Sequence, residues 1–274
     1  MSRHSVLEGA PLLIAHRGGS GLAPENTLPA FLNGAGRWGA DMIEFDVQAS
    51  ADGRCVVMHD ALVDRTTDGT GPVAEMTFAQ LRELDAGYRF TADGGATFPF
   101  RGQGVRIPTI EEALETLPTI RITVEVKAGA AQAPLFEAIR RFNARDRVIA
   151  AGMFDRDRSL FGTYDGAISG SLEELKPFWL RHRMRLGWLR APQCDVVQIP
   201  EEWNGRRLVT ARLARDLHRH GIPLHVWTVN EPADMHRLLD WGIDGLISDR
   251  PDVLGRVLHE RVGRPLAPGH GAAS

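Results

Sequence analysis

Short apolar segments with strand character alternate with helical segments along almost the whole chain. Apart from one returning hairpin arm, eight strands continue this alternation, and they lie near residues 12, 42, 122, 148, 166, 196, 224 and 246. Strands that alternate with helices predict a parallel sheet. Eight such units in a chain of 274 residues predict an α/β fold, the closed TIM (β/α)8 barrel, whose active site lies at the C-terminal ends of its strands.

The alternation assigns residues 1–263 to a single barrel domain. The periodicity weakens at about residues 61–107, after the second barrel strand and its hairpin, where turn residues are frequent and Asp64-Arg65 predicts a turn. We expect a small insertion over one end of the barrel here, because long loops in compact domains usually have a function. Residues 264–274 predict a disordered tail.

The composition is that of an ordinary soluble globular protein, with 43% hydrophobic and 24% charged residues. A net charge of −3 gives no support for a nucleic-acid surface. One basic cluster lies in a helical pattern with Leu and Trp, and a solvated helix face is the favoured interpretation over a binding patch. This cluster consists of Arg181, Arg183, Arg185 and Arg190.

The cysteine pattern and the hydropathy pattern bear on the compartment. Cys55 and Cys194 lie far apart in strand-like segments, which is typical of buried small hydrophobes rather than of a disulfide or a metal pair. No run reaches the ~18 apolar residues of a membrane span, and no basic segment with an apolar core precedes the first strand. We therefore expect a cytoplasmic protein without a stable membrane anchor.

The second strand has two different faces. Apolar residues at 43, 45 and 47 alternate with polar ones that include Glu44 and Asp46, which is the period of a strand. An Asp52-Gly53 pair follows before the next strand-like run, and this is a strong hairpin signal. Folding the chain about that turn predicts that Glu44 lies roughly opposite His59, at the end of the returning arm.

Three acidic side chains are predicted to face the inside of the barrel. Glu125 shares its strand face with Lys127, opposite the apolar residues, as Glu44 and Asp46 do on their own strand. Three inward carboxylates repel one another unless they are protonated or neutralised by a cation. Oxygen ligands without cysteine suit one divalent cation, Mg²⁺ or Ca²⁺. The alternative is a structural network of ion pairs with Arg17 and Lys127.

Two histidines are predicted to flank these carboxylates. His16 follows the first strand, and His59 ends the hairpin arm. Imidazole changes charge near neutral pH, so a pair on opposite sides of a metal indicates a general base and a general acid. Each histidine alone is more often structural, but the joint placement favours catalysis. Arg17 and Lys127 add positive charge that a metal site does not need, which indicates an anionic substrate such as a phosphate ester.

Other polar and aromatic residues near the strand ends are less decisive. Trp227 shares its strand face with His225 and could wall the pocket or be an ordinary core residue. Gln198 and Glu201 also lie near a strand end, where a solvated loop is at least as good an interpretation.

Several motifs, taken together and in order, resemble the glycerophosphodiester phosphodiesterase family. The resemblance extends from about Leu12 to Pro251, which is nearly the whole chain. Five ordered motifs are far more specific than any one of them. The motifs are His16-Arg17-Gly18 with Pro24-Glu25-Asn26-Thr27, Glu44-x-Asp46, His59-Asp60, Glu125-x-Lys127, and Val226-Trp227-Thr228-Val229-Asn230.

The resemblance implies a β/α barrel enzyme with a small insertion after the His-Asp motif. It also implies metal-dependent hydrolysis of a glycerophosphodiester to an alcohol and sn-glycerol 3-phosphate. The roles that it implies are metal ligation by Glu44, Asp46 and Glu125, acid–base catalysis by His16 and His59, and phosphate binding by Arg17 and Lys127.

One departure from the family pattern concerns the alcohol pocket. Relatives often have a Ser-Phe pair after the strand near residue 150, where this chain has Gly152-Met153-Phe154. Two further functions remain open. The first is a lysophospholipase D-like activity on lipid substrates, which a long apolar groove at the barrel mouth would favour. The second is a catalytically silent barrel that binds phosphorylated metabolites, and the intact histidine pair argues against it. The attacking oxygen could belong to water or to the substrate's own glycerol hydroxyl.

Overall fold

A computed structural model describes residues 4–271 of the chain. The strands are β1 (Leu12–Ala15), β2 (Met42–Ala49), β3 (Cys55–Val57), β4 (Arg121–Val126), β5 (Val148–Ala151), β6 (Ala167–Ile168), β7 (Val197–Pro200), β8 (Glu202–Trp203), β9 (Arg206–Arg207), β10 (Leu224–Trp227) and β11 (Gly245–Ser248). The α-helices are α1 (Leu28–Leu32), α2 (Phe78–Glu83), α3 (Ile110–Thr116), α4 (Gln132–Arg141), α5 (Leu172–Arg183), α6 (Ala211–His218), α7 (Pro232–Asp240) and α8 (Pro251–Val262).

Eight parallel strands form the barrel. Hydrogen-bonded neighbours follow the order β6-β5-β4-β2-β1-β11-β10-β7. A single parallel bridge between Ser169 and Val196 joins the two outer strands of this order, β6 and β7, and closes the barrel. The eight barrel strands begin close to the predicted positions. The predicted TIM barrel is confirmed. Its closure depends on β6, which is the shortest of the eight barrel strands.

The alternation of side chains along each strand separates two apolar regions. On β2, Ile43, Phe45 and Val47 point outward and pack against the helices. Met42 points into the barrel, where it joins a smaller apolar cluster with Leu12 and other inward residues. The inward positions that follow Met42 carry the acidic side chains, so the barrel is apolar at its N-terminal end and polar at the other.

The register of the hairpin differs from the prediction. β2 and β3 are antiparallel, with Val47 opposite Val57, and the Met58 N–H donates to the Asp46 carbonyl oxygen as the pairing ends. This register is one residue away from the predicted one, so Asp60 rather than His59 would lie opposite Glu44. The predicted register was wrong because Ser50 pairs with Arg54, where the Ser50 N–H donates to the Arg54 carbonyl oxygen, and a loop of three residues between them fixes the observed register.

The segment at about residues 61–107 forms a small layer beside the barrel. It contains α2, and its side chains contribute to a separate apolar cluster that includes Val63, Leu81 and Ile107. The cluster also contains Val56 from β3, which holds this layer against the hairpin. The assignment of residues 1–263 to one domain with an insertion here stays a prediction.

The predicted disordered tail needs correction for the residues that the structure describes. Arg264 donates to both carboxylate oxygens of Asp41, and His270 packs edge-on against Trp38. The His270 ring also contacts the Asp252 carbonyl oxygen at 2.8 Å. The composition of the tail does not indicate these contacts, because they join it to residues far away in the chain. Residues 272–274 of the predicted tail lie outside the described residues.

Within residues 4–271, no helix has both the length and the apolar character needed to cross a bilayer.

Candidate active site

One large pocket lies at the C-terminal ends of the barrel strands, where the fold class predicts the active site. It has a volume of about 700 Å³. The eight residues predicted from the sequence all line it, and they are His16, Arg17, Glu44, Asp46, His59, Glu125, Lys127 and Trp227.

Strand register places the three carboxylates together. In the β2–β4 pair, Asp46 lies directly opposite Glu125, and Glu44 lies two residues earlier on the same face of β2. One carboxylate oxygen from each of the three residues lies within 4.8 Å of the other two. Three oxygen donors at this separation fit a single hard divalent cation such as Mg²⁺ or Ca²⁺.

The charges within the cluster are unevenly balanced. Burial, together with the neighbouring Asp46 carboxylate, raises the pKa of Glu44 far above its ordinary value. Burial also acts to raise the pKa of Asp46, but the ammonium of Lys127 and the guanidinium of Arg17 outweigh it and hold that pKa low. Glu44 is therefore the carboxylate with too little positive charge around it. A divalent cation would supply that charge, so the residues present fit the metal that the sequence predicts.

Arg17 and Lys127 lie on the other side of Asp46. The Lys127 Nζ is 3.2 Å from Asp46 Oδ1 and 3.0 Å from Glu125 Oε1. The Arg17 Nε is 3.4 Å from Asp46 Oδ2 and has no hydrogen-bond partner of its own. The ion pairs that the sequence offered as the structural alternative are therefore present. An unpartnered guanidinium N–H beside the pocket can donate to an anionic oxygen.

A tight turn after β1 aims Arg17 and His16 at the cluster. Arg17 has a φ of +50°, an uncommon conformation for a residue with a side chain, and its backbone N–H donates to Glu44 at 3.0 Å. The next residue, Gly18, has a φ of +87°, and a Cβ there would lie 2.8 Å from Ala30 on α1. The turn therefore requires glycine at position 18.

Asp249 orients His16. The His16 Nδ1 is 2.6 Å from Asp249 Oδ1, and its Nε2 is 3.9 Å from Glu44 Oε2. Burial acts to lower the pKa of His16, but the hydrogen bond that its Nδ1–H donates to Asp249 and the charge of Glu44 outweigh it and raise that pKa. Asn230 donates to Asp249 at 2.8 Å and Ser20 also donates to it, so the carboxylate is held from several sides. With Nδ1 engaged, Nε2 is the nitrogen left to exchange a proton.

Asp60 orients His59 in the same way. The His59 Nδ1 is 2.6 Å from Asp60 Oδ1. Arg65 donates from Nε to Asp60 and from both terminal nitrogens to Glu25, and Glu25 in turn accepts from Arg17 at 2.8 Å. Arg65 lies in the predicted turn. Its ion pairs also link the segment that contains His59 to the segment that contains His16.

The opposite side of the pocket is apolar. It lies where β6 meets β7, and it extends from the barrel interior to the inner sides of α5 and α6. Trp227 lies between the two sides, at the end of β10. The apolar lining is Leu172, Leu175, Phe178, Trp179, Ile199, Pro200, Trp203, Leu208, Leu213 and Leu217.

The sequence patterns assigned no role to the residues that support the predicted site, although Glu25, Asn26 and Asp60 lie within the quoted motifs. Asp249, Asp60 and Glu25 orient the histidines and arginines, while Asn26 donates to Asp46 at 3.0 Å. A usable signal existed for Asp249, because it directly follows a barrel strand. Of the two uncertain polar residues, Gln198 lines the pocket, and Glu201 pairs with Arg237 on α7.

Comparisons with known proteins agree with this geometry. The family model described as "Glycerophosphoryl diester phosphodiesterase family" matches residues 16–253. A curated protein from Caldanaerobacter subterraneus subsp. tengcongensis, named glycerophosphodiester phosphodiesterase, is 35% identical over 262 residues, covering 89% of this chain and 96% of the relative.

Solved structures have the same architecture. A phosphodiesterase from Oleispira antarctica, solved in complex with the product sn-glycerol-3-phosphate, is 26% identical with a TM-score of 0.73 and covers 91% of this chain and 97% of its own. The glycerophosphoryl diester phosphodiesterase domain of an uncharacterized Mycobacterium tuberculosis protein has a TM-score of 0.78 at 22% identity, with coverage of 92% and 100%, and supports the fold alone. The enzyme class predicted from the sequence is confirmed, and the chain belongs to the glycerophosphoryl diester phosphodiesterase family.

Proposed function

We propose that this enzyme hydrolyses glycerophosphodiesters to an alcohol and sn-glycerol 3-phosphate, with one divalent cation held by Glu44, Asp46 and Glu125. The observation that carries the proposal is the convergence of two carboxylate-oriented histidines on one cluster of three carboxylates. The product complex of the Oleispira antarctica relative supports sn-glycerol 3-phosphate as the product.

The proposed reaction breaks the bond between phosphorus and the alcohol oxygen. A cation bound at the carboxylates would stabilise the charge that develops on the phosphoryl oxygens. Arg17 and Lys127 would bind those oxygens, and Trp227 would contact the substrate at the pocket wall. One histidine removes the proton of the attacking oxygen, and the other protonates the leaving alkoxide. Asp249 and Asp60 hold His16 and His59 with Nε2 free for these transfers.

The test is release of sn-glycerol 3-phosphate from a panel of glycerophosphodiesters that differ in their alcohol. The panel should be assayed with and without EDTA, and again after Mg²⁺ or Ca²⁺ is added back. We expect release from at least one member and its loss on chelation. No release from any member under any metal condition would refute the proposed substrate class, while release that persists in EDTA would refute the metal.

The apolar side of the pocket favours a second candidate, a lysophospholipase D-like activity. A cavity of about 700 Å³ with aliphatic and aromatic lining has room for an acyl chain beyond the reacting phosphate. In this reaction the bond to the headgroup alcohol breaks, and an acylated glycerol phosphate remains. Choline release from lysophosphatidylcholine, compared with release from sn-glycero-3-phosphocholine, distinguishes the two substrates in one assay.

We also propose a cytoplasmic location for the protein. Both cysteines are free thiols, with Cys55 buried and Cys194 partly buried, which suits a reducing compartment. Cell fractionation with antibody detection tests the proposal, and recovery outside the cytoplasmic fraction would refute it.

A further inference from the structure

Exposed apolar side chains are concentrated in one segment, residues 180–190, which we call the α5 arm. Eleven large apolar side chains are strongly exposed among residues 4–271, and five of these fall within residues 180–189. They are between 38% and 57% exposed. Apolar groups that cluster in this way mark an interaction surface, whereas scattered ones do not. The five are Leu180, Met184, Leu186, Trp188 and Leu189.

The same region has only positive charge. Residues 175–194 contain five cationic residues and no Asp or Glu. Within the described chain, none of these five has a carboxylate oxygen within 4 Å, whereas other exposed arginines, such as Arg141, Arg145 and Arg261, do. The five residues are Lys176, Arg181, Arg183, Arg185 and Arg190.

The helix places this surface beside the mouth of the pocket. Phe178 and His182, one turn apart, are buried against the barrel. Helical spacing puts Leu180 and Lys176 on the opposite face. Trp179 lies on the border between the two faces and lines the pocket, as Lys176 does. The exposed face is therefore continuous with the apolar side of the pocket.

Contacts under the α5 arm hold it in a fixed position. The buried His182 Nδ1 is 2.7 Å from Asp216 Oδ2 on α6, and the His220 Nε2 is 2.9 Å from the Gly187 carbonyl oxygen. A Cβ at Gly187 would lie 2.8 Å from the Asp216 carboxylate. These contacts anchor the segment from below, so Trp188 and its apolar neighbours point outward from a fixed base.

We propose that the α5 arm docks the enzyme on an anionic phospholipid bilayer. Aromatic and aliphatic side chains would enter the boundary between headgroups and acyl chains, and the arginines would contact the anionic headgroups. The uniform positive charge favours a bilayer over a second copy of this chain, because two such faces would repel each other. Docking there would bring the pocket mouth to the lipid surface. The proposal concerns location and is independent of the proposed catalytic function.

The test is co-sedimentation of the intact protein with vesicles of phosphatidylcholine, alone or mixed with phosphatidylglycerol. We expect binding to the mixed vesicles that weakens as salt is added. Arg190→Glu should weaken it at least about fivefold, since one cation near an anionic membrane contributes about 1 kcal/mol. Trp188→Ser should weaken it about tenfold through lost apolar burial.

Matched substitutions elsewhere serve as controls. Arg140→Glu, on an exposed position of α4, makes the same charge change, and Val262→Ser removes an exposed apolar side chain at the end of α8. Both should bind vesicles as the parent does. Hydrolysis of a water-soluble glycerophosphodiester should be unchanged in all four variants, which shows that they are folded.

Two results would overturn the proposal. The first is no binding to the mixed vesicles, and the second is equal binding to vesicles of phosphatidylcholine alone. If vesicle binding is absent and the protein self-associates in a way that Trp188→Ser and Arg190→Glu abolish, the surface belongs to contact between copies. None of these results bears on glycerol 3-phosphate release, so the two proposals fail separately.

Discussion

The two sides of the pocket are built in different ways. The polar side stands on β1, β2 and β4, where β2 and β4 pair over six consecutive residues. The apolar side stands on β6 and β7, which a single bridge joins, and on two helices behind them. Proton transfer and metal ligation need donors held at fixed distances, whereas apolar contact is non-directional. Regular pairing therefore supports the side of the pocket proposed to carry the chemistry, and looser construction suffices for the side proposed to hold the rest of the substrate.

We expect the largest loss of activity when one negative charge is removed from the carboxylate cluster on the polar side of the pocket. Glu44→Gln and Glu125→Gln each delete an oxygen charge while keeping the shape, so each should weaken metal binding and nearly abolish turnover. EDTA should abolish turnover of the parent enzyme, and Mg²⁺ or Ca²⁺ should restore it. Isothermal titration with each metal, alongside the activity assay, measures both effects.

Glu201→Gln is the control for this change. Glu201 lies beyond the end of β7 and pairs with Arg237 rather than lining the pocket. The Glu201→Gln substitution should therefore leave the affinity for the metal unchanged. Full turnover in metal-free parent enzyme would show that the three carboxylates only support ion pairs.

The histidines should give the next largest loss. His16→Ala and His59→Ala should each reduce the rate by roughly 10²–10⁴-fold, the usual contribution of general acid–base catalysis. A p-nitrophenyl phosphodiester has a leaving group that scarcely needs protonation. It should therefore largely rescue the variant that lacks the acid, and leave the variant that lacks the base slow. The measurement is kcat/KM of both variants on both substrates.

His236→Gln, on the surface of α7, is the matched control and should behave as the parent. Equal loss on both substrates in both variants would refute the division into acid and base. Near-normal activity in either variant would assign that histidine a structural role.

The contrast between the two sides also explains what the sequence could predict. The inward acidic residues alternate with apolar residues along their strands, which is a short-range pattern. Glu44, Asp46 and Glu125 could therefore be placed from periodicity and barrel geometry. Arg65 could not, because it reaches the site from the insertion and no strand periodicity marks its position. The apolar side was invisible for a different reason, since a leucine that lines a cavity has the same sequence pattern as one in the core.

Changing the apolar side should separate substrates without stopping the chemistry. Trp179→Ala removes a large wall of the pocket away from the carboxylates. On lysophosphatidylcholine we expect kcat/KM to fall about 10- to 100-fold, the equivalent of one lost aromatic contact. On sn-glycero-3-phosphocholine the change should stay within about threefold. Trp241→Ala, outside the pocket, should affect neither; equal losses of both activities in Trp179→Ala would show that the two sides do not act separately.

We expect a smaller loss of activity from changing Arg65, which supports the polar side of the pocket from the insertion. Arg65→Lys keeps the charge but loses the forked contact with Glu25, so Asp60 and His59 should be held less firmly. We expect kcat to fall about tenfold with little change in KM. Arg82→Lys, which alters an arginine of the same insertion paired with Glu112, should leave both constants unchanged. A change in KM alone would indicate that Arg65 binds substrate instead of supporting His59.

The last prediction concerns His225, which lies inside the barrel beneath both sides of the pocket. The ring is fully buried, its Nδ1 is 3.2 Å from the Gln198 amide nitrogen, and its Nε2 has no partner. Burial, with a smaller contribution from Arg121, lowers the pKa of His225 to about 3. Within residues 4–271, no carboxylate offsets a proton on His225, in contrast to His16, which lies beside Asp249.

The lowered pKa of His225 makes folding sensitive to acid. Below pH 6.5 the unfolded chain binds a proton at this residue, whereas the folded protein does not accept it until about pH 3. The free energy of unfolding therefore falls as the pH falls through this window, and the stability is fully present above pH 6.5. At pH 4.5 the loss amounts to about 2 to 3 kcal/mol.

Urea unfolding between pH 7 and pH 4.5 measures this effect. His225→Asn and His225→Gln cannot titrate, so both should lose about 2 to 3 kcal/mol less than the parent over that range, whatever their stability at pH 7. His236→Gln, at a half-exposed site, should follow the parent. An unchanged pH slope in the two His225 variants would mean that this histidine is protonated in the folded barrel. In that case the interior below the pocket tolerates charge, and the polar and apolar sides would differ less than their linings indicate.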